Sequence, residues 1–285
     1  MSENSFKGID SHQHFWVYSK TEYSWMDAAP LAPLRQDRLP QDLKTLQKGT
    51  SFDGSVAVQA RQTIEESKWL LELADEAPDL IKGVVGWVDL RSKNVADQIA
   101  QFVPHSKFKG VRHVVQDEPD VDFMLGKEFQ NGISELEKFG LTYDILIFPK
   151  QLPAAISLVG KFPNQSFVLD HIAKPNIKDG EGDQWKSLIK KLSHYKNVSC
   201  KISGMITEAD WTGWKLNDLT PYMDWIVECF STKRIMFGSD WPVCTLAGSY
   251  QKVAHTFDDY FADFSESEQK DIYLNNTTSF YSLDK

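Results

Sequence analysis

Two histidines one residue apart, His12 and His14, end a short apolar run near the start of the chain. An aspartate, Asp240, ends another near its finish, in Gly238-Ser239-Asp240-Trp241. Residues i and i+2 of a strand face the same way, so the two imidazoles project together, as metal ligands or as proton carriers. Other apolar runs also finish on ionisable groups: Arg112-His113, Tyr143-Asp144, Asp170-His171 and Lys201. Asp170 and His171 are neighbours, so in a strand only one of them can face a shared interior. Lys201 would be costly to bury alone, so a partner or a substrate is expected beside it. Asp240 also suits a helix cap, while His105, His194 and His255 read as packed or surface imidazoles. The chain has no G-x-S-x-G elbow, no G-x-G-x-x-G turn and no P-loop. The chemistry left is attack by water, with His and Asp as base and electrophile, with or without a metal.

The elements that must position these groups are legible as periodicity. Apolar runs at 8–15, 54–60, 82–90, 108–115, 141–148, 166–172, 198–204 and 234–241 are rich in Val, Ile and Phe, as buried parallel strands are. Amphipathic stretches at 63–76, 184–195 and 221–230 read as helices, with Pro221 near a helix start, and 250–264 and 266–281 close the chain. Eight β-then-α units predict a (β/α)8 barrel, with residues 1–285 forming one domain. Residues 16–40, with three prolines and few helical cues, make a long excursion that would lie over the barrel mouth.

Composition narrows the partners. The 285 residues are 41% apolar and 25% charged with a net charge of −9, and no long basic block exists, so neither nucleic acid nor an anionic membrane is an expected partner. Cys200, Cys229 and Cys244 form no C-x-x-C, which fits a reducing compartment. Residues 1–7 show no apolar run after a basic start and no stretch is long enough to span a membrane, so a cytoplasmic location is expected. A homo-oligomer is left open.

The motifs IDSHQHFW at 9–16, VLDHIAKP at 168–175 and RIMFGSDWPV at 234–243 resemble the amidohydrolase superfamily, and within it the branch of sugar lactonases and 2-pyrone-4,6-dicarboxylate lactonase. The resemblance implies a distorted barrel. It implies that His12, His14, His171 and Asp240 form the strand-end set, with Asp240 as general base for water. Arg112 and His113 would fall in the substrate pocket, with Tyr143 and Lys201 at matching strand ends. Superfamily members with two metals carry a bridging Lys or Glu on strand 4 and a histidine on strand 5. Here those positions offer Arg112-His113 and Tyr143-Asp144, and a guanidinium cannot bridge cations. One zinc on His12, His14, His171 and Asp240 is the expected metal arrangement, with metal-independent catalysis equally open.

The implied reaction is hydrolysis of an L-fucono- or L-rhamnono-lactone type sugar lactone to its aldonic acid. Asp240 would activate the water, and His171, His113, Arg112 or a metal would stabilise the oxyanion. The rival within the superfamily is a metal-dependent decarboxylase or hydratase of an unsaturated or aromatic acid. A doubly anionic substrate calls for several arginines, and only Arg61 and Arg112 stand near strand ends. Aromatics are plentiful there instead. Trp16, Trp25 and Trp241, with Trp211 and Trp214, are expected to offer ring faces to a sugar.

Overall fold

The computed structural model describes residues 6–180 and 182–283; most of the N-terminal stretch read above for a leader lies outside them. Eight parallel strands pair in chain order: β1 Gly8–Gln13, β2 Phe52–Val58, β3 Ile81–Gly86, β4 Phe108–His113, β5 Thr142–Ile145, β6 Phe167–Leu169, β7 Val198–Ile202 and β8 Ile235–Phe237. Each apolar run seen in the sequence overlaps one strand, with β2 starting two residues and β3 one residue before its run. The strands stop before the runs do, so His14, Asp170, His171 and Asp240 emerge past the ladder, while His12, Arg112, Asp144 and Lys201 stand in the last residues of their strands. The ring closes between β8 and β1 through Ser11 Oγ donating to the Phe237 carbonyl (2.5 Å), Asp240 N to His12 O (2.8 Å) and His14 N to Trp241 O (2.7 Å). A Cβ on Gly238 would lie 2.6 Å from that of His12, so this close approach demands glycine.

Helices between the strands are α1 Pro40–Leu46, α2 Ile64–Glu76, α3 Val95–Ala100, α4 Lys127–Phe139, α5 Leu152–Lys161, α6 Asp183–Ser193, α7 Leu216–Phe230 and α8 Tyr250–Phe261. α2 begins where the Thr63 side chain accepts from the Glu66 N–H, and it buries Leu70, Leu71, Leu73 and Ala74 against the sheet. The start expected at Pro221 is wrong. α7 begins at Leu216 and carries Pro221 inside it, because packing of Leu219, Tyr222 and Met223 outweighs one lost helical bond.

The core has two layers. Outward-facing residues such as Ala57, Val84 and Leu169 pack under the helices, while Ile9, Val56, Val58, Val85, Val168 and Met236 fill the barrel. The helix expected over 266–281 is broken into α9 Glu266–Lys270, a π-helical turn Asp271–Asn275 and α10 Asn276–Phe280. The break lets Tyr281 and Leu283 turn under the barrel and join its inner cluster. Lys109 Nζ donates to the Ser282 carbonyl at 2.8 Å, tying the tail to the start of β4. The opposite end carries the excursion after β1. It is pinned at its neck by Trp16 and Arg38, which exchange backbone hydrogen bonds at 3.0 and 2.8 Å, and it is built from 3-10 turns over Ser24–Asp27 and Ala29–Leu34. Among the described residues, no helix is long and apolar enough to cross a membrane.

Candidate active site

A cavity of about 700 Å³ opens at the C-terminal ends of the strands, the size of a small-molecule site. His14, Arg112, His171 and Asp240 line it, with Trp16, Trp25, Leu146, Val114 and Val243 as apolar wall, and Glu22, Arg61, Gln116, Asp117 and Lys174 as polar rim.

Asp240 stands at the centre of the histidines. Its Oδ1 is 3.4 Å from His14 Nε2, 3.8 Å from His12 Nε2 and 3.9 Å from His171 Nε2. Burial pushes its carboxyl up. The facing His171, His14 and Lys174 outweigh that and leave it below the usual carboxylate range, so it is ionised at neutral pH. Burial holds His171 well below the usual imidazole range, so that ring is neutral at pH 7. Asp240 takes a left-handed φ of 56°, which Asp tolerates better than most residues.

The histidines are aimed by their far nitrogens. His14 Nδ1 donates to the Val58 carbonyl at 2.8 Å, so its Nε2 faces Asp240 as an acceptor facing an acceptor. Such a pair needs a proton, a water or a cation between its members. His171 Nδ1 lies 2.9 Å from Ser203 Oγ. A Cβ on Gly204 would stand 2.5 Å from that nitrogen, so only glycine lets the ring sit there.

Asp170 and His171 both reach the site, against the expectation that one must turn away. β6 ends at Leu169, and His171, Ile172, Ala173 and Lys174 then form a turn of left-handed helix with φ of 53°, 49°, 62° and 50°. Each such L-residue costs about 1–2 kcal/mol. Trp185 Nε1 donating to the Ile172 carbonyl at 2.7 Å and complete burial of Ile172 help offset it. Asp170 stays inside the barrel while the reversed turn brings His171 over it.

Beneath the histidines lies a buried charge network. Lys201 Nζ is 2.5 Å from Asp144 Oδ2 and 3.0 Å from Asp170 Oδ1, and Tyr281 donates to Asp144 at 2.7 Å. Arg112 Nη1 sits 3.2 Å from both Asp170 Oδ2 and His12 Nε2. His12 Nδ1 lies 3.3 Å from Asp170 Oδ1 and 3.2 Å from Lys201 Nζ, so this ring is held between the charges of the network, with Nε2 facing Arg112. Burial holds the His12 ring well below the usual imidazole range. Burial also raises the Asp144 carboxyl to about 6, and lifts Asp170 too, although Lys201, His12 and Arg112 together bring Asp170 well below its usual range.

Several expected site residues stand elsewhere. His113 faces outward, accepting from Trp87 Nε1 at 3.4 Å, lying 2.7 Å from Glu118 and stacking on Phe123. Tyr143 is fully buried between Phe129 and Phe167 in the outer layer. In both strands it is the inward neighbour, Arg112 or Asp144, that meets the interior, because side chains alternate. Lys201 is an interior group with protein partners and does not line the cavity. Trp241 packs on Phe15 beneath the wall, and Trp211 and Trp214 donate to the Thr207 and Ala247 carbonyls away from it. Trp16 and Trp25 do line it, 6.0 Å apart and edge-to-face. Gln59, Glu22, Glu66 and Lys174 were not anticipated as site residues. Lys174 lies within the VLDHIAKP motif, and Gln59 and Glu66 lie in the second apolar run and the helix after it.

His12, His171 and Asp240 present ligand atoms all within 4.8 Å of one another. Imidazole and carboxylate at bond lengths of about 2.1 Å around a tetrahedral ion would stand roughly 3.4 Å apart, so the chemistry of these three donors is compatible with one divalent ion.

Arg61 reaches the rim, where its Nη1 meets Glu22 at 2.5 Å. Glu66 anchors its loop by accepting from the Ala60 and Arg61 N–H groups at 3.0 and 2.7 Å. Burial raises the Glu66 carboxyl from 4.5 to about 7. The folded state therefore binds this proton more tightly than the unfolded chain. That stabilisation is complete below pH 4.5 and is lost as pH rises through about 7. Glu66→Gln is expected to gain stability relative to wild type over that window, by up to about 1.4 kcal/mol per pH unit. Urea denaturation of both proteins at several pH values measures it, and a difference that does not widen with pH refutes it.

The chain matches the amidohydrolase family over residues 9–283. It is 40% identical over 257 residues to L-fucono-1,5-lactonase of Burkholderia multivorans, covering 86% of each chain. It is 32% identical over 288 residues to L-fucono-1,5-lactonase of Burkholderia ambifaria, covering 97% of this chain and 96% of the relative. A crystal structure of an amidohydrolase from Burkholderia multivorans with bound zinc superposes with a TM-score of 0.93 at 36% identity, over 98% of this chain and 100% of the other.

Proposed function

Because this chain belongs to the amidohydrolase family, we propose that it hydrolyses a sugar lactone to the aldonic acid with water activated by Asp240. The observation that carries the reading is the Asp240 carboxylate, ionised and ringed by three imidazoles, at a cavity with an indole-lined wall. Support for the substrate class comes from the two relatives named L-fucono-1,5-lactonase.

A water on the cavity side can donate to both Asp240 Oδ1 and His14 Nε2, whose Nδ1–H is engaged by Val58. Asp240 takes one proton as the water oxygen bonds to the lactone carbonyl carbon. The ring C–O bond then breaks, and the departing oxygen takes the proton back from Asp240. The new acid ionises to the aldonate. Burial keeps the His12 and His171 rings neutral, so they are poor competitors for the proton. His12, His14, His171 and Asp240 would hold a divalent ion, which when bound supplies Lewis acidity and a more acidic water.

Of the lactones, the 6-deoxy L-fucono or L-rhamnono type suits this cavity, because Trp25 and Leu146, with Trp16 packed behind Trp25, offer apolar surface for the ring face and methyl group. A pH-indicator assay over a stereochemical panel of aldonolactones, with and without chelator, tests the proposal. A 6-deoxy lactone should be preferred over its hydroxymethyl counterpart by about tenfold, the discrimination an apolar pocket can supply. If no lactone is opened faster than in buffer, the reading fails.

A further inference from the structure

The proposed reaction needs a positive group for the carbonyl oxygen as it becomes negative, and the cationic side chains at the cavity are Arg112, Arg61 and Lys174. Arg112 has five N–H groups. They go to Gln59 Oε1 from Nε (3.1 Å) and Nη2 (2.8 Å), to the Gln59 carbonyl from Nη2, and to His12 and Asp170 from Nη1. None is left for substrate. Arg61 is tied to Glu22 at the rim. His14 donates to Val58 and His12 is screened behind Arg112.

Lys174 differs. It lines the cavity, and among the described residues its ammonium has no hydrogen bond or ion pair; the Phe148 ring lies with its centroid at 5.6 Å and the Glu208 carboxylate acts on it from beyond ion-pair distance. It stands close enough to Asp240 and His171 to act on the charge of both. Its backbone is left-handed, at φ 50° and ψ 58°, the last residue of the reversed turn that begins at His171. Positions i and i+3 share a face of a helical turn of either hand, which puts both side chains at the cavity. Four consecutive non-glycine residues at positive φ store strain, and strain of this kind gathers where a side chain must be aimed.

We propose that Lys174 is a catalytic residue that donates to the lactone carbonyl oxygen and stabilises the oxyanion formed when water adds. This rests on the lactonase reading. The ammonium keeps its proton throughout: water adds to carbon, Asp240 carries the proton from water to the ring oxygen, and Lys174 only neutralises charge until the C–O bond breaks.

Two variants test it on the best lactone of the panel. Lys174→Met keeps the length without the charge, and its kcat should fall about 100-fold or more with KM changed less than threefold, the signature of a contact made chiefly in the transition state. Lys174→Gly should lose activity equally while melting about 2 °C higher, because glycine relieves the left-handed backbone. A side chain with only a structural role would not lower kcat while stability rises. Lys174→Met within fivefold of wild-type kcat overturns the assignment and leaves the lactonase reading intact. A wild-type protein inert on every lactone overturns that reading and this assignment with it.

Discussion

Asp240→Asn is expected to lower kcat by about 10³- to 10⁴-fold, near the full contribution of a positioned base. The substitution keeps the shape of the side chain and its tolerance of the left-handed backbone at φ 56°, so the fold survives where Ala would add strain. What it removes is the capacity to accept and return a proton. His14 Nε2 is the acceptor left beside that water and accounts for the rate that remains, while burial makes His171 a poor base. KM should change little, because Asp240 meets water rather than the sugar hydroxyls. Steady-state rates on the best lactone, beside a melting curve, measure the effect. A variant within tenfold of wild type on every lactone would remove Asp240 from the base role.

The second large effect is on stability. Lys201→Met is expected to destabilise the fold by about 3–5 kcal/mol, the usual result of breaking a buried pair. Lys201 is completely buried, and without it Asp144 keeps Tyr281 alone as a hydrogen-bond donor while Asp170 keeps Arg112 and His12. Asp144 is thus the uncompensated charge. Asp144→Asn in the Lys201→Met background should recover a substantial part of the loss, by roughly 1–3 kcal/mol of coupling between the two sites. Denaturant unfolding of the two single variants and the double variant closes the cycle. Additive losses would mean that the pair does not interact as its 2.5 Å separation implies. Because Asp170 also orients His12, Lys201→Met should slow turnover at temperatures where it is still folded.

Much of this molecule is legible in one dimension. A parallel strand covered on both faces must be apolar throughout, so eight such runs announce eight strands. His-x-His at a strand end puts two imidazoles on one face whatever surrounds them. Asp240 stands out because an acid at the end of an apolar run needs a reason. The excursion after β1 and its two cavity-lining tryptophans were visible as a proline-containing gap between strand and helix.

Other features depend on which neighbour a side chain meets. Arg112 rather than His113, and Asp144 rather than Tyr143, face the interior, because the phase of each strand is set by its register against the strands beside it. Breaks in the C-terminal helix bring Tyr281 under Asp144, a partnership across 137 positions that no local pattern encodes. Asp170 and His171 both reach the site only because the chain leaves β6 with the opposite hand, which for L-residues is unfavourable locally and persists only through contacts made elsewhere, such as Trp185 on Ile172. Local pattern therefore determines which residues form strands and which imidazoles travel together, since burial and alternation act on neighbours in the chain. Which charges are satisfied, and which ammonium remains available at the cavity, only the folded structure decides, because a hydrogen-bond partner is a fact of space.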